Sequence, residues 1–136
     1  MNKYDVSYMK MACIWAENSY AKRNKVGVLV VKDNMIISDG YNGTVSGSDN
    51  ACEDSDGNTK WNVLHAELNA ITKLAKSHTS SIGATIYTTL SPCRSCACLI
   101  IQSNFKRVVY LDEYRDTSGI DFLRENGIIV EKISID

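Results

Sequence analysis

From residue 63 onward the chain switches repeatedly between two hydrophobic periods. Leu64, Leu68, Ile71 and Leu74 recur at helical spacing, which predicts a helix over 63–76. A β-branched run follows over 84–89, then a helical stretch over 92–102, with Ser91 as the expected N-cap and Pro92 at the first position. Arg107-Val108-Val109-Tyr110-Leu111 reads as a strand, 117–126 as a short helix closed by Gly127, and Ile128-Ile129-Val130 as the start of a last strand. Strands that alternate with helices demand right-handed parallel crossovers, so this half cannot be a bundle or a sandwich. In the first half, Tyr4, Tyr8, Met11, Ala12 and Trp15 mark the inward face of a helix over 3–20. The runs 26–31 and 35–39, parted by Lys32-Asp33-Asn34, form a hairpin. The expectation is an α/β fold of three layers: a mixed five-stranded sheet flanked by helices, in one domain over 1–136. Between the halves, 40–60 is a long polar loop rich in Gly, Ser, Asn, Thr and Asp.

Composition narrows the function. At 136 residues and 44% apolar, the chain buries a core without disulfides. A net charge of −1 argues against a polynucleotide partner, because phosphate backbones call for a strongly basic surface. The first five residues lack an apolar signal core, and no apolar run approaches the ~18 residues of a membrane span. The expected setting is cytoplasmic, or the host cytoplasm for a phage-encoded chain. Five cysteines in such a setting point to metal binding or catalysis rather than to disulfides.

The cysteines and histidines are not scattered. His65-Ala66-Glu67 sits at one predicted helix start and Pro92-Cys93-Arg94-Ser95-Cys96 at another. Cys93 and Cys96, three apart, share a helical face in a first turn, where the helix dipole favours the thiolate. Two helix starts on one sheet face would bring His65, Cys93 and Cys96 together as a nitrogen and two sulfurs. Structural zinc sites close with four protein ligands, whereas catalytic ones keep a position for water. Glu67, two residues from the histidine, would then carry the proton. A lone CxxC or a lone His would signify little; the pair H-x-E…P-C-x-x-C is the signature of zinc nucleobase deaminases. Cys98 and Cys13 read as core thiols and Cys52 as a loop residue. A second, structural metal on Cys13, Cys52 or His78 is the weaker alternative.

With these motifs the chain resembles the cytidine deaminase superfamily, and within it the deoxycytidylate deaminases. The stretches that carry the resemblance are 25–28, Gly40-Tyr41-Asn42-Gly43 with its continuation to Gly47, 65–71, 91–96, Arg107–Tyr110 and Tyr114-Arg115. It implies a cytidine deaminase-like fold and zinc held by His65, Cys93 and Cys96. It implies hydrolytic deamination of dCMP to dUMP and ammonia, supplying dUMP for dTMP synthesis. Activated water attacks C4, and Glu67 protonates N3 and then the leaving amine. The Ala66 N–H would hold the base O2 and the Ser91 carbonyl the exocyclic amine. Asn42 and Thr44 would contact the sugar or phosphate, and Arg23, Tyr114 and Arg115 the 5′-phosphate. The resemblance further implies a homohexamer activated by dCTP and inhibited by dTTP, with Mg2+ accompanying the triphosphate. Lys25, Gly40, Tyr41, Asn42 and Gly43 would form the effector site.

Three other readings compete. A free cytidine or deoxycytidine deaminase shares the chemistry but needs no phosphate cations, and usually carries three cysteines. A tRNA adenosine deaminase shares both motifs but wants an extended basic surface. A non-catalytic zinc-stabilised module would be indifferent to loss of Glu67.

Overall fold

The computed structural model describes residues 2–136. In chain order the elements are α1 (Asp5–Ala16), β1 (Gly27–Lys32), β2 (Met35–Tyr41), β3 (Gly43–Thr44), β4 (Val63–Leu64) and α2 (Ala66–Ala75). These are followed by β5 (Thr85–Leu90), α3 (Arg94–Gln102), β6 (Arg107–Asp112), α4 (Ser118–Glu125) and β7 (Ile129–Lys132). The main sheet has five strands in the order β2-β1-β5-β6-β7. β1 pairs antiparallel with both β2 and β5, while β5, β6 and β7 run parallel, so the sheet is mixed as expected. A separate two-stranded sheet joins β3 to β4, inside and just after the stretch expected to be loop.

Side-chain alternation divides the strands between two cores. Val28, Val30, Ile86, Val108 and Tyr110 face Ala66, Ala70 and Leu74 of α2, Ala97 and Ile100 of α3, and Ile120 and Leu123 of α4. Leu29, Val31, Tyr87 and Val109 face Tyr8, Met9 and Ala12 of α1. One helix therefore covers one face and three cover the other. Central strands buried on both faces favour β-branched and aromatic residues without alternation, which is why β1, with Val28–Val31, and β5, with Thr85–Thr89, were legible. Asp33 and Asn34 take φ of 52° and 60°, as a two-residue hairpin turn of this hand requires.

Three expectations need correction. The buried face of α1 is Asp5, Tyr8, Met9, Ala12 and Ala16, while Tyr4, Met11 and Trp15 are exposed. Its rotation is set by Asp5, which the sheet holds in an ion pair with Arg107. The N-cap of α3 is Cys93, not Ser91, and the helix begins at Arg94 rather than Pro92. The Ser91 hydroxyl is engaged elsewhere, accepting the Tyr114 N–H at 2.6 Å. Finally, Cys98 is exposed, because Cys96, Ala97 and Ile100 form the inward side of α3. Cys52, by contrast, is buried. Among the described residues no helix is long and apolar enough to cross a membrane.

Candidate metal centre and cavity

His65 and Cys93 occupy the same place in two helices. Each is an N-cap with extended backbone, at φ −66°, ψ 154° and φ −73°, ψ 173°, and neither side chain caps its own helix. Their carbonyls close the first turns, His65 O accepting from Asn69 N at 3.0 Å and Cys93 O from Ala97 N at 2.9 Å. The side chains are thus left to point off the helix ends. Both helices lie on the same sheet face, so the ends meet.

Two close approaches of backbone make that meeting possible. A Cβ on Gly40 would sit 2.6 Å from Ala66 O and 2.8 Å from Ala70 N, so only glycine lets β2 lie this close to the first turn of α2. A Cβ on Gly119 would meet Pro92 O and lie 2.9 Å from Cys93 C, so α4 can press on the Pro92-Cys93 turn.

One ligand atom each from His65, Cys93 and Cys96 falls within a 4.8 Å cluster. Nδ1 of His65 stands 3.3 Å from Cys96 Sγ and 3.5 Å from Cys93 Sγ. A tetrahedral zinc with bonds of about 2.3 Å to sulfur and about 2.0 Å to nitrogen separates the two by about 3.5 Å. The donors therefore fit that ion in both type and spacing. Hydrogen bonds from Cys96 and His65 outweigh burial and pull the Cys93 thiol down to about 3. Cys96 is pushed up, first by its bond to Cys93 and then by burial. The Cys93 contact also raises His65, against burial. Among the described residues this is the one cluster of three such ligands, and Cys13, Cys52 and His78 form no second one.

Glu67 is 4% exposed. Burial raises its carboxyl above the ordinary value, opposed by a backbone hydrogen bond and by His65. It shares a cavity of about 190 Å³ with His65 and Cys93, whose wall also includes Arg23, Asn42, Ala66, Ser91 and Tyr114. Ala66 is the first residue of α2, where the backbone N–H has no intrahelical partner and is free for a ligand oxygen.

Other residues singled out from the sequence stand apart from this cavity. Arg115 is exposed and forms no part of the wall. Thr44 lies beyond the end of β2, donates to Asp49 O at 2.8 Å, and lines a different cavity of about 410 Å³. Gly40, Tyr41 and Gly43 line that second cavity with Lys73 and Lys76. Lys25 lies instead in a third depression beside Cys13, Glu17 and Asp112. Asn42 faces the first cavity rather than the second, and its carboxamide is already employed. Oδ1 accepts from Val26 N at 2.9 Å and Nδ2 donates to Asn24 O at 2.8 Å. Cys52, Glu53 and Thr59 complete the wall and were not foreseen, since a polar loop has no periodicity from which to read its inward residues.

The layered fold and the three-donor centre beside a buried carboxylate define a metal-binding α/β protein with the donors set in an open cavity of mixed polarity. The family model for the cytidine and deoxycytidylate deaminase zinc-binding region matches residues 2–112, and the chain belongs to that family. It is similar to the cyanophage S-TIM5 dCMP deaminase, crystallised with dCMP and dUMP, at 46% identity and a TM-score of 0.95, over 98% of this chain and 99% of that one. It is 33% identical to the deoxycytidylate deaminase of Enterobacteria phage T4, over 93% of this chain and 83% of the relative. It is 34% identical to ComE operon protein 2 of Bacillus subtilis, over 95% of this chain and 70% of the relative.

Proposed function

We propose that this chain is a zinc-dependent deoxycytidylate deaminase, converting dCMP and water to dUMP and ammonia. The observation that carries the reading is the single cavity lined by His65 and Cys93 of the His65–Cys93–Cys96 donor set, by the buried Glu67, and by Arg23 and Tyr114. The names of the similar phage enzymes point to the same substrate.

His65, Cys93 and Cys96 would hold the zinc, which when bound acidifies a water to near neutrality. Glu67 takes a proton from the attacking water and delivers it to N3 of cytosine, then takes the remaining proton from the new C4 hydroxyl and passes it to the departing amine, which leaves as ammonia. Burial, which raises the Glu67 carboxyl, favours its holding a proton between the two transfers. The Ala66 N–H holds O2 of the base and the Ser91 carbonyl accepts from the exocyclic amine. Arg23 and Tyr114 take the 5′-phosphate. Hydrogen bonds to charged groups contribute roughly 1.5–3 kcal/mol each, so two separate a nucleotide from its nucleoside by a factor of about 10² or more.

The second cavity is assigned to a regulatory triphosphate, dCTP as activator or dTTP as inhibitor, accompanied by Mg2+. Gly40, Tyr41 and Gly43 offer close backbone approach there, and Lys73 and Lys76 positive charge. A homohexamer is proposed as well, for which the exposed Ile14, Tyr20 and Trp61 are apolar surface that contact between copies would cover.

The test is ammonia release from dCMP by zinc-loaded protein and its Glu67→Ala variant. Glu67 is not a ligand, so the variant keeps its zinc and loses turnover by about 10²–10⁴-fold, the usual share of general acid–base catalysis. Full turnover in that variant would remove Glu67 from the chemistry.

A further inference from the structure

The stretch after β3 is folded back on itself. Glu53 and Thr59 form an antiparallel bridge. Asp54 N donates to Asn58 O at 2.8 Å and Lys60 N to Cys52 O at 2.8 Å. The Asp54 carboxylate accepts from Asp56 N at 2.9 Å and Asn58 N at 3.0 Å. The result is a small braced hairpin with the buried Cys52 at its root, and it gives Glu53 and Thr59 to the cavity wall.

Facing it is the connection between α1 and β1, which carries Arg23. Both ends of that connection are fastened to Asn42: Ser19 Oγ donates to Asn42 O at 2.8 Å, and Asn42 holds Val26 and Asn24. At Arg23 itself the fastening is different. A single oxygen of Glu53, Oε2, accepts from Lys22 N at 3.0 Å and from Arg23 N at 3.3 Å. The Arg23 guanidinium makes no ion pair among the described residues, so its charge is not spent on Glu53. A carboxylate in the wall of a cavity that receives a dianion is electrostatically adverse unless it does something else. Here it accepts two backbone N–H groups while the arginine side chain stays available.

We propose that Glu53 is a positioning residue: it clamps the backbone at Lys22 and Arg23 so that the Arg23 guanidinium meets the 5′-phosphate, and so helps set the preference for nucleotide over nucleoside. This rests on the assignment of dCMP as substrate. The role belongs to the acceptor oxygen rather than to the negative charge, so glutamine, which keeps an oxygen at similar reach, replaces it.

The test compares parent, Glu53→Ala and Glu53→Gln. Deamination of dCMP and of deoxycytidine is followed in each, together with amide hydrogen exchange over 19–26. Glu53→Ala is expected to raise KM for dCMP about tenfold, the equivalent of about one charge-assisted hydrogen bond. Its kcat/KM for deoxycytidine moves far less, exchange at Lys22 and Arg23 speeds up, and Glu53→Gln restores both readouts. Parent-like KM and exchange in Glu53→Ala would overturn the clamp, as would equal losses on dCMP and deoxycytidine, or a Glu53→Gln variant as impaired as Glu53→Ala. A parent inactive on dCMP would refute the substrate assignment, and the exchange data would still decide whether Glu53 holds this backbone.

Discussion

Two arginines that look alike in the sequence have different surroundings. Arg23 borders the cavity that holds Glu67, whereas Arg115 lies outside its wall. Arg115 sits near Asp116, whose carboxyl is drawn down mainly by Ser118, with smaller help from Arg94 and Arg115. Arg23→Ala should therefore lower kcat/KM on dCMP by about 10–100-fold, the loss of one charge-assisted hydrogen bond, while Arg115→Ala costs less than that. Steady-state kinetics on the two variants checks the ranking, and a larger loss for Arg115→Ala would move the phosphate out of the cavity mouth. The metal donors, by contrast, were legible because their information is local. Each stands within a turn of a helix start, one announced by the end of a polar loop and the other by a strand-to-helix change of period. Glu53 was not legible: its two partners lie 31 and 30 residues away on a loop with no pattern.

α1 carries the clearest case of a long-range interaction overriding a local pattern. Asp5 is completely buried, and accepts from Arg107 NH2 at 2.7 Å, Arg107 NH1 at 3.0 Å and the Tyr87 hydroxyl at 2.6 Å. Arg107 also pairs with Glu131, so one cluster ties α1 to β5, β6 and β7. The partners are 82 and 102 residues from Asp5, which is why apolar spacing alone gave the wrong face of the helix. Burial raises the Asp5 carboxyl, but the bonds from Arg107 and Tyr87 outweigh it, and the net shift is downward from 3.8. A depressed carboxylate stabilises the fold above its unfolded value and loses that stabilisation as pH falls through the folded one. Asp5→Ala should cost about 1–3 kcal/mol at pH 7, since Arg107 keeps Glu131 but loses its buried partner and the Tyr87 hydroxyl loses its acceptor. In urea unfolding the deficit against the parent should shrink as pH drops below about 4. A deficit independent of pH would mean that packing, not the ion cluster, holds α1.

For the whole molecule, the architecture follows from which strands are covered on both faces. β1, β5 and β6 lie between α1 and the three other helices, so their central residues are buried on both faces, and the alternation with helices fixes the parallel order. That much is written in the periodicities. The wall built by β3, β4 and the 52–60 hairpin is not, because two-residue strands and a self-bonded polar loop leave no periodic trace. Yet part of this wall, Cys52, Glu53, Thr59 and Val63, lines the site, and Glu53 there accepts from the backbone N–H of Arg23. In the proposed reading the metal centre carries the chemistry of deamination, and the loops bearing Arg23 and Tyr114 set the choice of substrate. Loss of cytosine absorbance on zinc-loaded protein, with dCMP and deoxycytidine run side by side, tests both at once. Rapid loss with dCMP and little with deoxycytidine is the predicted result. Equal rates on the two would contradict the phosphate reading of Arg23 and Tyr114, and no loss with either would contradict deamination of this base altogether.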